Sequence, residues 1–161
     1  MSGAASRGDM PMAAQTAMTD ADILRVFMTS NDGEIVTSQA VVGDAQNAEV
    51  RQFAQMMIAE HTALNDRARA LGMEPRDNQV AASMRQNATA KAAQIDGMSG
   101  AMQDRTYTET QVVLHGNTLD MLTNVLIPNA RDARLRALLT EARPSVEQHF
   151  RRAQQLHMAA M

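Results

Sequence analysis

Apolar residues recur at alternating steps of three and four through most of this chain. That spacing puts them on one face of an α-helix. Leu24, Phe27, Asn31, Glu34, Ser38, Val41 and Ala45 form the first such seam, and Thr19 or Asp20 can cap it. Val50, Ala54, Met57, His61, Leu64, Ala68 and Leu71 form the second, opened by Asn47 and closed by Gly72 and Pro75. A third runs through Val112, His115, Leu119, Leu122 and Leu126, and Pro128 is expected to stop it. The fourth carries Leu135, Leu138, Ala142, Val146, His149, Ala153 and Leu156, with Asn129 as its cap and a kink at Pro144. The pattern predicts helices over about 20–45, 47–71, 104–127 and 130–157.

Residues 73–102 break the pattern. Val80, Met84 and Ile95 are widely spaced among Ala, Gln and Asn, and Gly97, Ser99 and Gly100 follow. A weakly amphipathic helix over about 78–96 is expected, serving as a crossover. Residues 1–18 read as a disordered leader, and residues 19–158 as one domain. Two hairpins joined by a long crossover describe an all-α, ferritin-like antiparallel four-helix bundle with an extra short helix in the connection.

Composition agrees with helices. Ala, Leu, Met, Gln, Glu and Arg dominate the 161 residues, Trp is absent, and Tyr occurs once. A net charge of −3 with interspersed signs, and 2% aromatic residues, argue against a nucleic-acid partner. With no cysteine, disulfide and thiolate chemistry are excluded. No apolar run reaches the roughly 20 residues that span a bilayer. Met1–Met18 lacks the apolar stretch of a signal peptide. The sequence names no protein partner and leaves self-association open.

Chemistry enters through the seams. His61, His115 and His149 lie on three different apolar faces, and Glu34 lies on a fourth. A lone buried charge or imidazole is costly, so residues of this kind on facing helices should meet one another or a metal ion. Neutral imidazole and carboxylate suit zinc, iron, copper or manganese. Depth along the bundle separates the candidates. At about 1.5 Å per residue, Glu34 and His61 lie roughly 18 and 22 Å from the first turn, nearly level. His115 and His149 lie roughly 21 and 30 Å from a second turn at Asn129, which sets His149 almost two turns out of plane. Glu34, His61 and His115 are therefore the expected ligands, with His149 a fourth ligand or a partner behind them.

Other residues carry less. Glu60 adjoins His61 but points about 100° away, which suits a solvated or supporting role. Glu109 is off its seam. His157 is expected to be solvated, and Tyr107 to pack with its hydroxyl at the surface. Methionine pairs (Met10 and Met12, Met56 and Met57, Met98 and Met102) can hold Cu(I), though methionine more often fills cores. No phosphate loop or nucleophile elbow is present.

Phe27, Asn31, Glu34-Ile35, Asn47, Val50-Arg51, Phe53-Ala54, Met57-Ile58 and His61 together resemble the bacterial domain of unknown function (DUF) family 4142. Asp104, Tyr107, Val112 to His115, Arg143-Pro144, Val146 and His149 extend the likeness over roughly residues 20–157. The resemblance implies a ferritin-like bundle exported to the periplasm or outer envelope, with Glu34, His61, His115 and His149 as its polar signature. It implies no activity. Di-iron ferritins carry Glu-x-x-His on two helices, whereas here Ile58 and Val146 stand three residues before His61 and His149.

The reading expected from the residues is a metal-binding envelope protein, more a binder than an enzyme, in metal handling or stress response. Zinc, copper and iron all fit. A metal-free buried polar network and a di-iron oxidoreductase are the alternatives.

Overall fold

A computed structural model describes residues 18–161. Among these residues every regular element is helical, and the architecture is an all-α bundle. The expected leader lies outside the described residues, apart from Met18. Helix α1 spans Asp20–Val42, α2 Ala48–Arg69, α3 Gln79–Asp96 and α4 Gly100–Met121. A π-helical turn, Leu122–Leu126, leads into the short α5, Ile127–Asn129, and α6 spans Ala133–Ala159. No helix among the described residues is long and apolar enough to cross a membrane.

The helix starts follow from local chemistry. Thr19 and Asp22 form a capping box: Asp22 N–H donates to Thr19 Oγ1 at 3.3 Å, and Thr19 N–H to Asp22 Oδ2 at 2.9 Å. Asn47 caps α2 and Asn78 caps α3. Gly72 adopts φ 67°, the left-handed conformation that ends α2 without a steric cost.

Two aspartates tie each hairpin turn to the other hairpin. Asp104 on α4 accepts from the Gln46 and Asn47 N–H groups at 3.2 and 2.7 Å. Asp20 on α1 accepts from the Arg131 and Asp132 N–H groups at 2.7 and 3.0 Å.

Two local expectations are corrected and a third is extended. Pro128 does not stop the fourth seam's predecessor, because the wider π turn before it relieves the clash between the proline ring and the preceding carbonyls. Asn129 Nδ2 donates to the Val125 carbonyl at 2.7 Å, satisfying one carbonyl in this stretch. The cap of α6 is Asp132, three residues beyond Asn129, which accepts from Arg134 and Leu135 N–H, so the second turn centres on Arg131. And α3 is more than a connection. Its buried residues, Ala81, Ala88 and Ile95, recur every seven and lay it along α1. Gly33 on α1 permits this approach, since a Cβ there would stand 3.2 Å from Ala88 Cβ.

Helices α1 and α2 form one hairpin and α4 and α6 the other, with α1 on α4 and α2 on α6 closing the bundle. Helix α6 runs through Pro144 as one element. The apolar core is in two parts. Leu24, Phe27, Leu64, Leu122, Leu135 and Val146 lie in one cluster. Val41, Ala54, Met57, Tyr107 and Ala153 lie in the other. On every bundle helix the residues between these two sets are polar and buried: Asn31 and Glu34, His61, Gln111 and His115, His149. A polar layer thus crosses the middle of the bundle.

Candidate metal centre

Each long helix sends one or two side chains into that layer. His61 comes from α2, His115 from α4 and His149 from α6, and they are 1%, 0% and 3% exposed. Their ring centroids stand 5.6 Å apart for His61 and His115, and 5.4 Å for each ring against His149. The triangle is nearly equilateral. Each ring offers one nitrogen to a group whose members all lie within 4.8 Å of one another. Nitrogens sharing a tetrahedral zinc stand about 3.4 Å apart, so the cluster is slightly open by comparison.

Hydrogen bonding fixes which nitrogen of each ring carries the hydrogen. His61 Nδ1 meets Asn31 Oδ1 at 2.9 Å. Asn31 spends its Nδ2 on Asn65 Oδ1, so its oxygen accepts and His61 Nδ1 donates. His115 Nδ1 donates to the Gln111 carbonyl, one turn earlier, at 3.0 Å. His149 Nε2 donates to Glu60 Oε2 at 2.8 Å. The nitrogens left over are His61 Nε2, His115 Nε2 and His149 Nδ1, and all three are buried without a hydrogen-bond partner. Three neutral imidazoles therefore each keep a bare lone pair in the middle of a protein.

Electrostatics favours that neutral state. Burial pushes the His61 imidazole well below the usual histidine range, and the neighbouring His115 and His149 add to the effect. Burial, then His149, brings His115 down to about 3, against the pull of the Gln111 carbonyl. His149 is also lowered by burial, with Glu60 opposing. Neutral imidazole is the form that binds metal.

Glu34 sits elsewhere than the expected ligand position. Its Oε1 is 3.5 Å from His115 Nδ1, the nitrogen that donates to the Gln111 carbonyl. Burial raises its carboxyl well above the ordinary range, with Gln111 opposing, so the contact with neutral His115 is not an ion pair. The structure thus brings His61, His115 and His149 together and places Glu34 behind His115.

The expectation that His149 lies out of plane is corrected by the turn. Measured from Arg131, His115 and His149 lie about 24 and 27 Å along their helices, within one helical turn. Glu60, expected to be solvated or supporting, holds His149, with its side chain 47% exposed. Sequence reasoning did not assign Asn31 and Asn65. Asn31 was on the first seam one turn before Glu34, and Asn65 is one turn after His61, which is the available signal. Tyr107 is fully buried, with its hydroxyl 2.8 Å from Ser38 Oγ rather than at the surface. His157 is half-buried beside Thr108 Oγ1 at 3.2 Å. Met102 is exposed, and Met98 Sδ accepts from Thr106 Oγ1 at 3.2 Å. Met10 and Met12 lie outside the described residues.

The chain matches the family described as "Domain of unknown function (DUF4142)" over residues 5–156, and it belongs to that family. No curated protein and no solved structure matches it.

Proposed function

We propose that this DUF4142 protein binds one transition-metal ion through His61 Nε2, His115 Nε2 and His149 Nδ1. One observation carries the reading: three buried lone pairs on three helices face one another, while each ring's N–H is engaged outside the cluster. A metal-free network would pair donors with acceptors, and here three acceptors meet with no donor among them. A single water has two hydrogens for three lone pairs. A cation with open coordination positions satisfies all three.

Zinc, copper and iron all accept three imidazoles. Three nitrogens leave a divalent ion short of four ligands, so a water or small molecule would complete the set. The chain's own contribution is to hold three neutral rings in fixed tautomers and to exclude bulk solvent. Glu34 and Glu60 act behind rings rather than between metal positions, which weighs against a di-iron centre with bridging carboxylates. The setting we propose is the periplasm or cell envelope, which the family resemblance implies, and the process is metal handling or stress response, which a three-histidine site would serve.

The test is elemental analysis of protein purified without chelator, beside the double variant His61→Ala/His115→Ala. We expect about one metal per wild-type chain and none in the variant. Absence of metal from the wild type, after zinc, copper and iron have each been offered, overturns the reading in favour of a structural polar network. Loading should also stabilise the fold, by about 2.7 kcal/mol at a free metal concentration 100 times the dissociation constant.

A further inference from the structure

His61 is linked to the protein surface by three hydrogen bonds, and each bond has a direction. Asn65 Nδ2 donates to Asp32 Oδ1 at 2.7 Å. Asn31 Nδ2 donates to Asn65 Oδ1 at 2.9 Å. His61 Nδ1 donates to Asn31 Oδ1 at 2.9 Å. Asn31 and Asn65 are each 1% exposed, while Asp32 is exposed.

The two ends of this chain differ in what they allow. An amide has a donor end and an acceptor end, so it runs equally well in either sense. An imidazole can likewise carry its hydrogen on either nitrogen. Left to themselves, Asn31, Asn65 and His61 have two arrangements. In one, His61 carries its hydrogen on Nδ1. In the other, both amides turn over, Asn31 Nδ2 donates to His61 Nδ1, and the hydrogen moves to Nε2. A carboxylate only accepts, so Asp32 permits the first arrangement and leaves the second with an acceptor facing an acceptor.

We propose that Asp32 is a positioning residue: through Asn65 and Asn31 it selects the Nδ1–H tautomer of His61 and keeps the Nε2 lone pair turned towards His115 and His149. The consequence for metal binding rests on the reading of the three histidines as a metal site. The tautomer itself does not. In the reversed arrangement an N–H would point into the cluster, and His61 could not act as a ligand there. Asp32 lies on the outer surface of α1, so its influence passes through the two buried amides.

The experiment reads the tautomer directly, by long-range proton–nitrogen NMR of metal-free protein with labelled histidine, alongside zinc affinity by chelator competition. Wild type should show His61 with its hydrogen on Nδ1. In Asp32→Asn the substituted side chain can donate to Asn65, and a substantial fraction of His61 should shift to the Nε2–H form. Zinc affinity should fall about 10-fold or more, as for loss of other groups that orient metal-bound histidines. Asp32→Glu keeps an acceptor at this position and should restore the wild-type pattern, which a merely structural role would not require. If His61 stays wholly Nδ1–H in Asp32→Asn, the proposal is overturned, whether or not zinc binds. A tautomer shift in a protein whose wild type takes up none of zinc, copper and iron upholds the relay and sinks the metal reading instead.

Discussion

His149 Nε2 stands 2.8 Å from Glu60 Oε2, and this bond turns the ring's other nitrogen towards His61 and His115. It is the point where the cluster's direct hydrogen-bond partners come nearest to solvent, because the Glu60 side chain is 47% exposed while Asn31 and Gln111, which hold the other two rings, are 1% and 0% exposed. Glu60 also differs from its sequence neighbour His61 in direction, reaching α6 from α2.

Glu60→Ala should therefore loosen His149 without unfolding the bundle. We expect a loss of metal affinity of about 10- to 100-fold, the usual effect of removing a carboxylate behind a metal-bound histidine. Glu60→Gln keeps an acceptor oxygen and should lose less. Chelator competition measures both. Equal affinities for all three proteins would remove Glu60 from the site.

Glu34 gives a second test, in metal-free protein. Its carboxyl is raised by burial, so above the unfolded carboxyl range the folded chain holds a proton that the unfolded chain has released. Folding then takes up a proton, and its stability falls as pH rises from about 4.5 towards the folded value. Glu34→Gln removes that dependence while keeping the shape. The variant should be the more stable protein at pH 7, with its advantage shrinking as pH falls to about 4. Urea unfolding at both pH values measures it, and an unchanged difference contradicts a neutral Glu34.

Much of this site was legible as periodicity. Each of Glu34, His61, His115 and His149 occupied an apolar seam, so burial followed from spacing alone. Level along the bundle did not, because it depends on where a turn is made. Pro128 looked like a terminator, and only the π turn at Leu122–Leu126 lets the helix pass it and moves the turn to Ala130–Asp132. That shift of the turn from Asn129 to Arg131 is what brings His149 level with His115. Asn31 was hidden differently: asparagine on a seam reads as a defect until its partners Asn65 and His61 are known. Helix α3 was expected, but its packing on α1 was hidden because alanine and glycine give little hydrophobic signal, although Ala88 and Gly33 approach closely because they are small.

Asp22 supplies the pH dependence of the outer fold. Arg76 donates to it from Nε at 2.7 Å and from Nη2 at 2.6 Å, and these bonds hold its carboxyl far below the usual range. A depressed folded value contributes stability above the unfolded value near 4, and that stability is lost as pH falls through the folded value. Arg76 is 62% exposed, so water screens the pair and its contribution is small. Asp22→Asn should be less stable than wild type at pH 7, beyond any change in the α1 cap, and the pair's share of the gap should narrow by pH 2. Thermal melts at the two pH values measure it, with Arg76→Ala separating the pair from the cap. An Arg76→Ala deficit that is the same at pH 7 and pH 2 would show that the ion pair contributes nothing.

Gly33 tests whether α3 belongs to the bundle. A Cβ at this position would stand 3.2 Å from Ala88 Cβ, tighter than ordinary contact, and both atoms sit on helix backbones that must move together. Alanine gains about 1 kcal/mol in helix propensity over glycine, which offsets a shift of a few tenths of an ångström. Gly33→Ala should thus be within about 1 kcal/mol of wild type. Valine adds two further methyl groups where α1 and α3 already touch, and overpacking of this kind costs about 1–3 kcal/mol. The Gly33→Val protein should melt at lower temperature, with hydrogen exchange accelerated over Gln79–Asp96 before the rest of the bundle. If valine is tolerated as well as alanine, α3 is not held against α1 at this contact, and the close packing of the two helices has to come from Ala81 and Ile95 instead.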